Sequence, residues 1–197
     1  MIDSIIFASS NKGKIKEVRE SFLPYNIKIL SMEDVGFFDE IEETGSTFLE
    51  NATIKAKAVH AKTGGIVLAD DSGLEVKFLN NAPGIYSSRF AENDEKRINK
   101  LLGLLKGVPN KDREARFVCG MVVFMNDSQK IEVEGTVNGY ITEKVSGENG
   151  FGYDPIFYVP EYNKTMAELS SDIKNKISHR ARALNGVLEK LGIKELN

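Results

Sequence analysis

Two adjacent acids, Asp70 and Asp71, with Ser72 and Gly73 after them, interrupt an apolar run that begins at Ile66 and resumes at Leu74. Neighbouring carboxylates repel, and in a half-buried site they keep their charge only beside a cation, which makes the pair a candidate for a hard metal such as magnesium. Asp-Asp-Ser-Gly also has ordinary turn composition. The stretch therefore reads either as carboxylates delivered to a rim by a buried strand or as a plain turn.

Two further stretches carry chemistry. Ser9-Ser10-Asn11-Lys12-Gly13-Lys14 lies between a strand pattern and a helix pattern. Such a loop points backbone N–H groups at whatever sits above the helix N-terminus, where anions are favoured, and Lys12 and Lys14 add full charges. It is neither GxxxxGK[ST] nor GxGxxG, and the same residues serve as simple helix caps. The second stretch, Gly147 to Pro155, sets three glycines near Phe151 and Tyr153. That composition suits a loop folded around a flat ligand, with stacking of a base worth ~1–3 kcal/mol, and equally a hairpin whose aromatics plug the core.

Outside these stretches the signals are weaker. His60 reads as an exposed helix residue, whereas His179 beside Arg180 sits where donors can converge on an acceptor, or as a capped helix surface. The segment Met32 to Thr44 is dense in acids, any one of which can approach a metal held by Asp70-Asp71. Lys55 shares a helix face with Asn51 at i, i+4 spacing. A surface lysine is ordinarily only solubilising.

The elements that must position these residues follow from periodicity. Ile2 to Ala8 reads as a strand, then Ile15, Val18 and Phe22 as the buried face of a helix ending before Pro24. Ile27 to Leu30 is a second strand. Thr47-Phe-Leu-Glu50 has capping-box form and opens a helix with Phe48, Ala52, Ala56 and Val59 on its apolar face, closed by Gly64-Gly65. Asp94 is placed to cap a scaffold helix with Ile98, Leu101, Leu102 and Leu105 buried. Arg113 to Met125 and a returning strand through Ile131, Val133 and Val137 form a hairpin around a turn at 126–129. Thr165 to Glu168 begins a short helical turn, and Ile177, Ala181, Leu184, Leu188 and Leu191 mark one final helix. With βα units on one side and a hairpin on the other, the expected sheet is mixed rather than doubly wound.

Composition bounds the classes. The 197 residues fit one domain, 1–197, or one domain with two lobes, and 41% hydrophobic with 28% charged residues describe a soluble globular protein. A net charge of -3 argues against a nucleic-acid or membrane surface, though not against a local phosphate pocket. The longest apolar run counting glycine, Val118 to Met125, has eight residues, far short of the ~20 of a membrane helix. No basic region precedes Ile5-Ile6-Phe7, so no signal peptide is expected. The single cysteine, Cys119, rules out an internal disulfide, suits a reducing cytoplasm and reads as core filler.

Taken in order, Ser9-Ser-Asn-Lys-Gly-Lys14, Glu42-Glu-Thr-Gly45 with Glu50-Asn-Ala52 and Lys55-Ala56, Ala69-Asp-Asp-Ser-Gly73, Ala82-Pro-Gly84, Phe151-Gly-Tyr-Asp-Pro155 and Ser178-His-Arg180 resemble the inosine/xanthosine triphosphate pyrophosphatase family of bacterial type. The match spans nearly the whole chain. Nucleotide pyrophosphatases of the Maf type open with a Ser-Pro-Arg-Arg style motif that is absent here.

The resemblance implies an α/β fold, a long mixed β-sheet flanked by helices with two lobes around a central cleft. It implies a magnesium-dependent homodimer that converts ITP, dITP and XTP to the monophosphate and pyrophosphate, clearing deaminated purines from the nucleotide pool. By motif, Asp71 looks like the general base and a metal ligand, Glu42 the second metal carboxylate and Ser72 a substrate contact. Ser9, Ser10, Asn11, Lys12, Gly13, Lys14, Lys55 and Lys174 would hold the triphosphate, and Phe151, Gly152, Tyr153 and Asp154 with His179 and Arg180 the purine. Selection at the 6-position follows if Arg180, His179 and the loop N–H groups all donate to a keto oxygen. A phosphomonoesterase would release orthophosphate instead of pyrophosphate, and a nucleotide-binding regulator would bind ITP without turnover.

Overall fold

Alternation along three neighbouring strands decides which helices pack where. The computed structural model describes residues 2–126 and 128–194. In β1 (Ser4–Phe7) and β3 (Val67–Val76), Ile5, Phe7 and Leu68 point into one apolar cluster, while Ile6, Val67 and Ala69 point into another. Successive side chains of a strand face opposite sides, so both faces of these strands need cover. The first face is covered by Val18 and Phe22 of α1 (Lys12–Phe22) and by Ala183, Leu184, Val187 and Leu188 of α5 (His179–Leu191). The second is covered by Ala52, Ala56 and Val59 of α2 (Phe48–Thr63). A one-residue slip of β3 would exchange the two sets, which pins its register against β1 at Ile6↔Val67 and Phe7↔Leu68.

The sheet runs in the order β2-β1-β3-β5-β6-β7-β8, with β4 paired to β3. Here β2 is Lys28–Ser31, β4 Ala82–Pro83, β5 Glu114–Asn126, β6 Gln129–Ile141, β7 Phe157–Val159 and β8 Lys164–Thr165. Pairing is parallel for β1 with β2 and with β3, and antiparallel for β3/β4, β6/β7 and β7/β8. The sheet is mixed, long and flanked by helices.

The chain divides into two compact units. Unit 1 comprises residues 1–71, 119–135 and 180–197, and holds β1, β2, α1, α2 and nearly all of α5. One close approach fixes α2 there: a Cβ on Gly120 of β5 would lie 2.9 Å from the Leu49 amide nitrogen and 3.0 Å from the Phe48 carbonyl carbon. Only glycine lets the first turn of α2 sit that near the strand. Unit 2 comprises residues 72–118 and 136–179. Its core joins Leu74, Val76, Phe117 and Ile141 to Ile98, Leu101 and Leu105 around α3 (Asp94–Leu104) and to Ile156, Phe157 and Met166. The buried Arg113 guanidinium ties it internally by donating to the carbonyls of Ile141, Leu105 and Thr142.

Several local readings change. The acid pair lies inside β3, which runs unbroken from Val67 to Val76, so Asp70-Asp71-Ser72-Gly73 is neither a turn nor a strand end. Side-chain partners on both faces make the acids tolerable in mid-strand. The expected final helix is two, α4 (Ser171–Ile177) and α5, broken where Ser178 takes an extended conformation with ψ 156. Asn93, not Asp94, caps α3, its side chain accepting from the Lys96 N–H. His60 is buried, with Nδ1 2.6 Å from the Gly65 carbonyl, where it closes the end of α2. The turn expected at 126–129 includes Asp127, which lies outside the described residues. Cys119 is fully buried, and burial pushes its thiol pKa well up, which fits core filler. Among the described residues, no helix is long and apolar enough to cross a membrane.

Candidate active site

In unit 1, the alternation of β3 sends Asp70 to the face of α1 and α5, and Asp71 to the face of α2. The Asp70 carboxylate is wholly buried. Its Oδ2 takes the Lys14 ammonium at 2.9 Å and the Arg180 Nε at 3.3 Å. Arg180, 2% exposed, also pairs through Nη1 with Glu17 of α1. Burial alone would raise the Asp70 pKa, but Lys14, Arg180 and Lys55 hold it well below the usual carboxylate range. The same acids hold the Arg180 guanidinium above its ordinary value against its own burial.

Asp71 has a different balance. Its Oδ2 accepts from the Asn51 amide at 3.0 Å, and its Oδ1 lies 3.9 Å from the Lys55 ammonium. Burial pushes its carboxyl above the ordinary value, and Lys55 and Asn51 only partly oppose this. Lys55 sits 2.6 Å from Glu43, and the acids around it hold its pKa up against its burial. Asn51 is buried between two partners: its Oδ1 accepts from the Gly45 N–H at 2.8 Å while its amide donates to Asp71. The capping box of Thr47 and Glu50 starts α2 one turn before, so Asn51 and Lys55 leave the helix on the face of Asp71.

The second carboxylate of this cluster is therefore Glu43. Glu42, the residue assigned by resemblance, is exposed and lines an open hollow with Phe37, Asp39 and Lys62. It is Glu43 that reaches Lys55, and spacing from Gly45 did not say which of the two acids would. Asp70 and Asp71 likewise do not form one carboxylate pair.

The loop 9–14 has the form expected of an anion site. Asn11 caps α1, its Oδ1 accepting from the Lys14 N–H at 3.1 Å, and Ser9 Oγ accepts from the Asn11 N–H at 3.3 Å. No acid lies in the first turn of α1. The side chains of Ser10, Asn11 and Lys12 are exposed, with Ser9, Gly13 and Lys14 half-buried.

In unit 2, the aromatic motif is a knot of internal bonds. Tyr153 is buried and its hydroxyl donates to the Ser87 carbonyl at 2.9 Å, so its ring plugs the core and does not offer a stacking face. Asp154 Oδ2 accepts from the Phe151 N–H at 3.0 Å and from the Lys174 ammonium at 2.8 Å, and that ammonium lies over the Phe151 ring, 4.7 Å from its centre. Lys174 is thus associated with the aromatic motif. The Gly152 N–H donates to Asp94 at 2.9 Å. The N–H groups of Phe151 and Gly152, which the sequence reading offers to a purine, are already engaged. The His179 ring is buried against Phe117, nearly parallel, with centres 4.8 Å apart. Ser72 follows Asp71 in β3 and is half-buried.

Sequence reasoning missed Asn51 as the partner of Asp71, Glu43 as the partner of Lys55, Glu17 as the counter-charge of Arg180, and Asp94 as a loop contact. The i, i+4 spacing of Asn51 with Lys55 was the one signal that could have found any of them. Among the described residues, no group of three or more acid, histidine or cysteine side chains forms a metal cage. Magnesium bound with a nucleotide takes one or two protein carboxylates, the remaining ligands being phosphate oxygens and water. Asp71 and Glu43 fit that donor set, and a further cation beside Asp71 would offset the cost of burying its charge.

Residues 5–190 match the Ham1 family. A dITP/XTP pyrophosphatase of Bacillus licheniformis is 50% identical over 183 residues, 91% of this chain and 93% of the relative. Among solved structures, the Ham1 protein of Staphylococcus aureus is 44% identical, with 96% of this chain and 98% of that one aligned at a TM-score of 0.86. A HAM1 protein from Coxiella burnetii is 42% identical, covering 98% and 99% of the two chains at a TM-score of 0.88.

Proposed function

We infer that this chain, which belongs to the Ham1 family, hydrolyses dITP, XTP and ITP to the nucleoside monophosphate and pyrophosphate. The enzyme is a nucleoside triphosphate pyrophosphatase and removes deaminated purines from the nucleotide pool. The observation that carries the chemistry is the Asp71 carboxylate, held by Asn51 and Lys55 on β3 with its pKa raised by burial.

Cleavage between the α and β phosphates needs two things. A water must lose a proton as it attacks phosphorus, and the charge of the leaving pyrophosphate must be neutralised. Asp71 is the carboxylate placed to take that proton, and the Asn51 amide orients it by donating to its Oδ2. Lys55 and Lys14 supply fixed positive charge, and the N-terminus of α1 with the loop 9–14 adds backbone N–H groups suited to phosphate oxygens. Magnesium, held by Asp71 and Glu43, would neutralise phosphate charge as a Lewis acid. No covalent nucleophile is required.

For the base, Lys174 is the best-placed discriminator in unit 2, because an ammonium only donates hydrogen bonds. A 6-oxo purine accepts from it, whereas a 6-amino group presents donors to donors. A site built on such a bond rejects the wrong base by ~10⁴ or more. The reading includes a homodimer, from the resemblance, and a cytoplasmic location, from the single buried cysteine.

A panel of nucleoside triphosphates with magnesium, scored for pyrophosphate, tests the function. Pyrophosphate from dITP, ITP and XTP with little from dATP supports it. Orthophosphate as the first product, or binding without turnover, overturns it.

A further inference from the structure

Three successive residues of the glycine-rich loop in unit 2 are tethered by three separate groups. The Phe151 N–H is held by Asp154, the Gly152 N–H by Asp94, and the Tyr153 hydroxyl by the Ser87 carbonyl. Two of the holders belong to the signature motifs or lie beside them. Asp94 belongs to none: it is the first residue of α3, 58 positions before the glycine it holds.

We propose that Asp94 is a positioning residue for nucleotide binding, fixing the loop that carries Phe151 through the amide of Gly152. This rests on the reading of that loop as the part that meets the base. Gly152 has φ +64, a left-handed conformation that costs glycine little and so does not hold itself in place. Asp94 supplies the restraint. One carboxylate oxygen takes the Gly152 N–H, while the other is paired with Arg97 three residues along the same helix. Arg97 is fixed in turn by its Nε bond to the Ala91 carbonyl at 3.1 Å. A charged acceptor makes a stronger tether than a neutral one, and a helix is a stiff post to tie it to. Phe151 stands directly before Gly152, and its ring carries the Lys174 ammonium, so a shift of Gly152 displaces both groups that face the base.

The test compares wild type, D94A and D94N in steady-state hydrolysis of dITP with magnesium, and measures inhibition by inorganic tripolyphosphate, which has no base. For D94A the expected result is a KM for dITP raised roughly tenfold or more with kcat within about threefold, and an unchanged inhibition constant for tripolyphosphate. D94N keeps an oxygen acceptor and restores most of the KM. An unmoved KM in D94A would overturn the assignment, as would equal losses toward dITP and tripolyphosphate, which mark general disruption. A check that needs no variant is amide exchange in wild type: Gly152 is expected to be protected, and exchange at the rate of an open loop would also overturn it. Absence of pyrophosphate from dITP with wild type takes down the underlying reading together with this one, whereas full wild-type activity with an indifferent D94A removes only the role of Asp94.

Discussion

Asp70 and Asp71 are joined by one peptide bond yet serve opposite faces of β3, and they are held by different side chains. Asp70 is sealed against Lys14 and Arg180, both of which meet its Oδ2. Asp71 has an amide and a more distant ammonium at 3.9 Å, and carries a charge that its surroundings only partly support. The first arrangement makes a support that stays ionised, and the second suits the base proposed above. One strand thus gives two identical side chains different surroundings, by alternation alone.

Replacing Asp71 by Asn is expected to lower kcat for dITP by ~10²–10⁴-fold, the usual contribution of a placed general base. The fold should persist, because Asn51 and Lys55 still meet a polar side chain of equal size. Stopped-flow rates of pyrophosphate release beside a melting curve check both statements, and an activity within tenfold of wild type would remove the assigned role.

Glu43 and Glu42 are separated by a magnesium titration. E43Q is expected to raise the magnesium concentration for half-maximal rate by about tenfold or more, and E42Q to leave it within about twofold. The reverse ranking would return the metal to Glu42 and put the contact between Glu43 and Lys55 down to structure alone.

D70N leaves Arg180 and Lys14 facing a neutral group in a buried site, and one broken buried ion cluster costs ~3–5 kcal/mol. The pH dependence has a definite sign. The folded pKa of Asp70 is lowered, because the cations outweigh its burial. Its contribution is therefore fully present above the unfolded value of about 3.9 and is lost as pH falls toward the folded value. Urea melts should show the widest gap between wild type and D70N above about pH 4, narrowing as the solution is acidified. A gap that grows on acidification would contradict the ion-pair account.

G120A tests whether packing sets the site. A methyl at that position meets the backbone of Phe48 and Leu49, so α2 must shift, at a cost of ~1–3 kcal/mol. Asn51 and Lys55 ride on the same helix. The expected result is a melting temperature lower by roughly 2–10 °C, together with a kcat loss larger than the small unfolded fraction explains. Loss of stability with unchanged kcat would separate the packing of α2 from the chemistry.

Much of unit 1 was legible because its signals are local. The capping box at Thr47, the stop at Gly64 and the stripe Phe48, Ala52, Ala56 and Val59 each depend on residues within a few positions of one another. The acid pair was found for its charge but read as a strand end or a turn, because turn composition is also local and the strand pairings that override it are not. Arg180 read as a donor to a ligand or as a helix surface, and not as a buried ion pair, since its partners, Glu17 and Asp70, lie 163 and 110 residues away. Tyr153 has the same explanation: its hydroxyl meets a carbonyl 66 residues back. Motif order picked out the segments that carry buried charge, but not the partner of each side chain. Which way each side chain faces depends on contacts that no window of sequence contains.

Lys14 and Glu17 stand one turn apart on α1, the first bound to Asp70 and the second to Arg180, which itself returns to Asp70. Two grips of opposite sign at neighbouring points act on a rod like a key in a slot. Rolling α1 about its axis would break both at once, so the fold itself sets the bearing of the Lys14 amine, the group proposed above to meet a phosphate.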